Sequence, residues 1–227
     1  MKGTFHTVFS LMLGMTLLTG CASETAVTDE PETDQDDIQE ETQTETEETE
    51  ELKSLLIYFS RTGEQYSVGE IEKGNTAIVA DMIREYTGAD VFEILPEEDY
   101  YPYTYDALTE IAKEEQNTQA RPAYQNELPD LSQYDVIFIG SPVWWADWPM
   151  IMYTMFESND FSGKTLIPFN TNEGSGNAGF EDKLKSKCPD SVVKEGLYTY
   201  GHDAQNNPDQ LRKNVREWLI RLGIING

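Results

Sequence analysis

The chain has 227 residues and a formal net charge of −26, with 42 acids set against 16 Lys and Arg. Nucleic acid and anionic lipid headgroups both require a basic footprint, so this balance excludes them and leaves a basic protein partner or a neutral small molecule. Apolar residues make up 38%, and the deficit is local, because 14 acids and no Lys or Arg stand between Glu24 and Glu51.

Residues 1–20 read as a signal peptide. Lys2 supplies a weak basic start, and residues 8–18 form an apolar core of signal-peptide length, short for a bilayer span. The segment ends Leu18-Thr19-Gly20-Cys21, which resembles the lipobox of bacterial lipoproteins. That resemblance implies cleavage before Cys21, lipidation of Cys21, and a protein anchored at the extracytoplasmic face of the cell membrane. Two or more acyl chains give a stable anchor where one does not. Residues 21–53 are acidic and Thr-rich with almost no large apolar side chains, so they are expected to be a disordered tether. A flexible chain of that length spans roughly 30 Å.

From residue 54 to 227 the pattern alternates strand and helix. Strands are expected at 55–60, 90–95, 135–140, 165–169 and 192–198, and helices at 76–86, 105–116, 149–158, 178–187 and 208–222. Residues 55–59 and 136–139 are apolar without alternation, as strands buried on both faces should be. In the first helix Ile78, Val79, Met82, Ile83 and Tyr86 share a face, and Gly88 follows as a stop. In the last helix Leu211, Val215, Trp218, Leu219 and Leu222 form the apolar stripe, and Gly223 ends it. Such alternation implies a parallel sheet covered by helices on both faces.

Ligands of open parallel sheets bind beyond the carboxyl ends of the strands. After the first strand come Ser60-Arg61-Thr62-Gly63 and, later, Gly74-Asn75-Thr76 opening a helix. A polar loop leading to a helix N-terminus is a phosphate site, since the first-turn N–H groups lack partners and the helix dipole favours an anion. After the third strand comes Gly140-Ser141-Pro142-Val143-Trp144-Trp145-Ala146-Asp147-Trp148. Gly140 and Pro142 suit a sharp turn there. Trp144 and Trp145 are expected to cover a flat ligand, and Trp148 to pack under the next helix. After the fourth strand, Asn170-Thr171-Asn172-Glu173-Gly174-Ser175-Gly176 is small and polar, suited to offering N–H groups to a ring. The tyrosines at 100, 101, 103 and 105 either line a substrate pocket or cover the sheet edge, the second being the expectation.

Some lookalikes fail. Gly163-Lys164-Thr165 lacks the upstream glycine of a P-loop, and Gly174-Ser175-Gly176 lacks nucleophile-elbow spacing. His202 is the only histidine beyond the leader, which gives no basis for a His-based metal site or a hydrolase triad. Cys188 has no second cysteine to pair with once Cys21 is lipidated.

Taken together, the three loops resemble those of flavodoxin-like FMN proteins, over roughly residues 55–224. The resemblance implies an α/β three-layer sandwich with a five-stranded parallel sheet in the order 2-1-3-4-5. It places Ser60, Arg61, Thr62, Gly63, Asn75 and Thr76 at the FMN phosphate. Ser141, Pro142, Val143, Trp144 and Trp145 fall beside the isoalloxazine ring, and Thr171, Asn172, Gly174, Ser175 and Gly176 at its far edge. The common phosphate loop is continuous, whereas here Glu64 to Gly74 intervene, and Glu64 is tolerable only if it points away. The implied activity is electron transfer, to a redox protein partner or a small electron acceptor. The alternatives are an NAD(P)H-dependent quinone or flavin reductase, and a surface binding lipoprotein that keeps the fold without FMN.

Overall fold

The computed structural model describes residues 52–227. The leader expected at 1–20, the anchor at Cys21 and the tether before residue 52 lie outside the described residues. The elements are β1 (Ser54–Tyr58), β2 (Gly63–Gln65), β3 (Gly69–Ile71), α1 (Asn75–Thr87), β4 (Asp90–Glu93), α2 (Tyr105–Thr118), β5 (Val136–Pro142) and α3 (Met150–Ser158). They continue with β6 (Thr165–Asn172), α4 (Phe180–Lys187), β7 (Val192–Val193), β8 (Leu197–Tyr200), α5 (Gly201–Asn206) and α6 (Pro208–Arg221). Among the described residues no helix is long and apolar enough to cross a membrane.

The main sheet is parallel throughout and runs β4-β1-β5-β6, with β7 and β8 both pairing β6. Counted as one interrupted strand, β7 and β8 complete the expected order 2-1-3-4-5. The interruption has a cause in β6. Lys194 donates to the Leu166 carbonyl, so the next β6 residue facing the same way is Pro168, which has no N–H to offer. Gly196 fills the gap, where a Cβ would stand 2.7 Å from the Pro168 carbonyl oxygen.

Alternation along the strands builds two cores. Leu55, Ile57, Ile137, Ile139 and Leu166 point to one face, under α2, α3 and α4. Leu56, Tyr58, Phe138, Ile167 and Phe169 point to the other, under α1 and α6. This is the three-layer α/β sandwich of the flavodoxin-like fold. Gly140 does not make the expected turn. It lies inside β5, where a Cβ would meet the Phe169 ring at 2.0 Å, so its role is to admit that ring. Trp148 is buried as expected and stacks on Phe180 of α4, centroids 3.7 Å apart. Cys188 is buried too, and burial pushes its thiol up to about 11.

The short helix α5 and the antiparallel β2–β3 hairpin have no counterpart among the elements expected from the sequence. The hairpin is the intervening stretch, folded out as a unit. Because it carries residues 63–71 away, Ser60 and Gly74 meet at its base.

Candidate functional site

The loops at the carboxyl ends of β1, β5, β6 and β8 converge around the start of α1. Gly74, the N-cap of α1, gives no side-chain cap. Ser60 substitutes in part, its hydroxyl accepting the Ala77 N–H at 3.1 Å. A Cβ on Gly74 would stand 2.6 Å from the Arg61 carbonyl oxygen, so only glycine allows the two halves of the loop to close. Thr76 and Thr171 share a buried hydroxyl–hydroxyl bond of 2.8 Å that ties α1 to β6. Asn75 is buried, and its carbonyl oxygen accepts from Gln205 at 2.8 Å.

The hairpin departs from this centre without placing charge in it. Glu64 points away, its carboxylate accepting the N–H of Tyr105 at the start of α2. Arg61 also turns aside: its guanidinium donates to Asp99 at 2.8 Å and to the Tyr101 carbonyl at 2.7 Å, and it does not line the cleft described below.

After β5 the chain makes a tight turn. Trp144 and Asp147 exchange backbone hydrogen bonds of 2.9 and 3.0 Å, and Trp145 and Ala146 both have positive φ, 51° and 57°. Positive φ at both central positions marks a type I′ turn, a geometry that favours Asn-Gly. Trp-Ala is strained here, and three contacts hold it. Lys183 donates to the Ala146 carbonyl at 2.7 Å, Gln116 to the Trp145 carbonyl at 3.1 Å, and the Trp145 indole N–H to the Thr109 carbonyl at 2.9 Å. Strain held in this way is typical of ligand sites. Trp144 stands edge-on to Phe59 and Tyr101.

After β6, Asn172 organises the loop. Its carbonyl oxygen accepts from the N–H groups of Gly174 and Gly176, and its amide donates to Asn170 and to the Thr199 carbonyl. The expectation that Gly174 and Gly176 offer free N–H groups to a ring is therefore corrected, since Asn172 consumes both. Glu173 accepts the His202 N–H at 2.8 Å and pairs with its imidazole at 2.7 Å. That hydrogen bond raises the imidazole pKa above its ordinary value.

These loops, the hairpin and α2 enclose a cleft of about 470 Å³. Of the residues expected from the sequence, Asn75, Pro142, Val143, Trp144, Trp145, Thr171, Asn172 and Ser175 line it. Ser60, Arg61, Thr62, Gly63, Thr76, Ser141, Gly174 and Gly176 do not. Thr76 and Gly176 bond to the lining residues Thr171 and Asn172, Ser60 bonds to Ala77 in the first turn of α1, and Ser141 is fully buried within β5. Lining residues not anticipated are Gln65 and Tyr66 of the hairpin, Leu108, Thr109 and Ala112 of α2, and Ala146, Glu173 and Gly201. Tyr105 also lines the cleft, and its ring packs near Tyr66, centroids 5.5 Å apart. The tyrosine run thus divides. Tyr105 belongs to the cleft, Tyr101 to the core, while Tyr100 and Tyr103 are exposed. The α2 contribution had a readable signal, because residues 105, 108, 109 and 112 share one helical face. The hairpin contribution had none. Among the described residues, Glu173 is the only charged one that lines the cleft.

Parallel-sheet topology, a helix N-terminus capped only at Ala77 by Ser60, and a largely uncharged aromatic lining define a flavodoxin-like α/β protein with a cleft suited to a phosphate-bearing ring. The chain belongs to the flavodoxin family, whose sequence model matches residues 53–219. Among solved structures it is similar to a flavoprotein candidate from Bacteroides eggerthii, 30% identical, with a TM-score of 0.58 over 75% of this chain and 98% of that one. A flavoprotein candidate from Bacteroides uniformis is 29% identical, with a TM-score of 0.58 over 74% and 97%. A Lactobacillus acidophilus flavoprotein solved in complex with FMN is 21% identical, with a TM-score of 0.51 over 68% and 97%, and shares the fold. No curated protein matches the chain.

Proposed function

We propose that the cleft binds FMN, and that the protein is an electron-transfer flavoprotein or oxidoreductase tethered through Cys21 at the outer face of the cell membrane. One observation carries the cofactor reading: the N-terminus of α1, capped only at the Ala77 N–H by Ser60, opens at Asn75 into the same cleft that Trp144, Trp145, Tyr66 and Tyr105 line. Unpartnered first-turn N–H groups suit a phosphate, and the rings suit a flat heterocycle. Glycine at 74, which a Cβ would displace, fits a loop that must close tightly around an anion.

Bound FMN supplies the redox chemistry. The chain holds and orients it. Asn75 and the backbone at the start of α1 would hold the phosphate, and the Trp144–Asp147 turn and the hairpin would flank the ring and exclude water. The acceptor is a redox protein partner or a small neutral molecule, as the acidic surface favours.

The full-length protein, purified in detergent, is expected to show flavin absorption bands or to acquire them on addition of FMN. Absence of bands together with no uptake would overturn the reading and leave a flavodoxin-fold binding lipoprotein. Trp144→Ala is expected to weaken FMN binding, and unchanged affinity would reject its ring contact. Cys21→Ser is expected to release the protein from membranes, and retained association would reject lipidation.

A further inference from the structure

Beside the cleft lies a cluster that cofactor binding does not use. Tyr101 is buried, and its ring stands 5.2 Å, centroid to centroid, from Trp144, which lines the cleft. Tyr100 packs against Tyr101 at 4.6 Å and is 46% exposed. Both hydroxyls donate to one buried carboxylate, Tyr101 to Glu115 Oε2 at 3.2 Å and Tyr100 to Glu115 Oε1. Arg61 lies over the Tyr101 ring at 5.4 Å. Three oxidisable rings therefore run in contact from the cleft to the surface, and the two phenols share a base.

We propose that Trp144, Tyr101 and Tyr100 form a relay that carries one-electron oxidising equivalents out of the cleft, with Glu115 accepting the tyrosine protons. The purpose of the relay rests on the cleft holding a redox cofactor, while the transfer itself does not. An oxygen-derived radical in the cleft removes one electron from Trp144. Tyr101 returns that electron, and its hydroxyl proton passes to Glu115, leaving intact Trp144, a neutral Tyr101 radical and a protonated Glu115. Tyr100 then gives an electron to Tyr101. Glu115 hands its proton back to Tyr101 and takes the one released by Tyr100. At the surface a soluble thiol or ascorbate restores Tyr100 with one electron and one proton, which leaves Glu115 charged again once its own proton is lost to solvent.

The base is required by the surroundings. Removing an electron alone would leave a positive charge on a buried ring. Loss of the proton with the electron avoids this, and among the described residues Glu115 is the hydroxyl's hydrogen-bond partner. Burial raises the Glu115 pKa above its ordinary value, against the two phenol hydrogen bonds that lower it, so its carboxylate is a stronger base than an exposed one.

Pulse radiolysis of the full-length protein with azide radical, which oxidises indoles, tests this without any flavin. An indolyl signal is expected to convert to a phenoxyl signal at a rate independent of protein concentration. Tyr101→Phe is expected to slow the conversion by about tenfold or more, the change made by a barrier ~1.4 kcal/mol higher. Glu115→Gln, which keeps the rings and removes the base, is expected to slow it likewise, and Tyr103→Phe to leave it unchanged. Absence of phenoxyl signal in the wild type, or an unchanged rate in both Tyr101→Phe and Glu115→Gln, would overturn the relay. Should Tyr101→Phe fail to fold, Glu115→Gln and Tyr100→Phe decide. Flavin content is read separately from the visible spectrum, so loss of the cofactor reading and loss of the relay are distinct results.

Discussion

Gly74 and Ser60 meet without room for a methyl group: a Cβ at position 74 would stand 2.1 Å from the Ser60 hydroxyl oxygen. That contact joins the two halves of a loop separated in sequence by the hairpin. Gly74→Ala is expected to cost about 2 kcal/mol of stability through overpacking, and to weaken FMN binding because the loop opens. Urea unfolding and FMN titration of the same variant check both effects.

The bond between Thr76 and Thr171 is buried. Thr76→Val keeps the shape and leaves the Thr171 hydroxyl without its partner, which is expected to cost about 1–2 kcal/mol. Thr76→Ser keeps the hydroxyl and is expected to restore much of the FMN affinity that Thr76→Val loses. Equal affinities of the two variants would show that the Thr76–Thr171 bond does not shape the cleft wall at Thr171.

The strained turn at Trp145 and Ala146 makes an opposite prediction for stability. At φ 57° an alanine side chain is disfavoured. Ala146→Gly is expected to raise stability by about 0.5–1 kcal/mol in urea unfolding. It also loosens the turn that presents Trp144, so FMN affinity should fall while stability rises. A parallel change in the two would show that the strain has no bearing on the site.

Glu157 carries the pH dependence that is clearest in sign. Hydrogen bonds from Arg121 and Lys187 hold its carboxyl down to about 2, below an ordinary value of 4.5. A depressed folded-state pKa stabilises the fold above the unfolded value, and that contribution disappears as pH falls through the folded one. Wild type should therefore exceed Glu157→Gln in stability at neutral pH, by an amount that shrinks between 4.5 and about 2. The pair is partly exposed, so added salt should narrow the gap. Unfolding midpoints across that pH range at two salt concentrations measure it.

The fold was legible because its signals are local. Short uninterrupted apolar runs at 55–59 and 136–139, bounded by turn residues, read as strands covered twice, and the stripe through Leu211, Val215 and Trp218 sets the buried face of α6. Gly88 ends α1 in the left-handed conformation, as its position after the helix pattern implied. The break between β7 and β8 was harder to see, because its cause, Pro168, belongs to a neighbouring strand. The hairpin was missed because Glu64, Gln65 and Tyr66 show neither an apolar alternation nor a turn signature strong enough to stand out from a polar loop.

At the candidate site the division is sharper. From the sequence alone came the three loops, the helix N-terminus beside Asn75 and the tryptophans after β5, since residue type and position after a strand are properties of a short stretch. Tertiary structure decided which groups remain available to a ligand. Arg61 is taken by Asp99, the N–H groups of Gly174 and Gly176 by Asn172, and the Glu64 carboxylate by Tyr105. It also brought Tyr66 and the α2 face onto the cleft. The physical reason is that a donor or acceptor is free only if no partner reaches it, and most of these partners lie far along the chain, joined to the site by packing of the sheet and its helices.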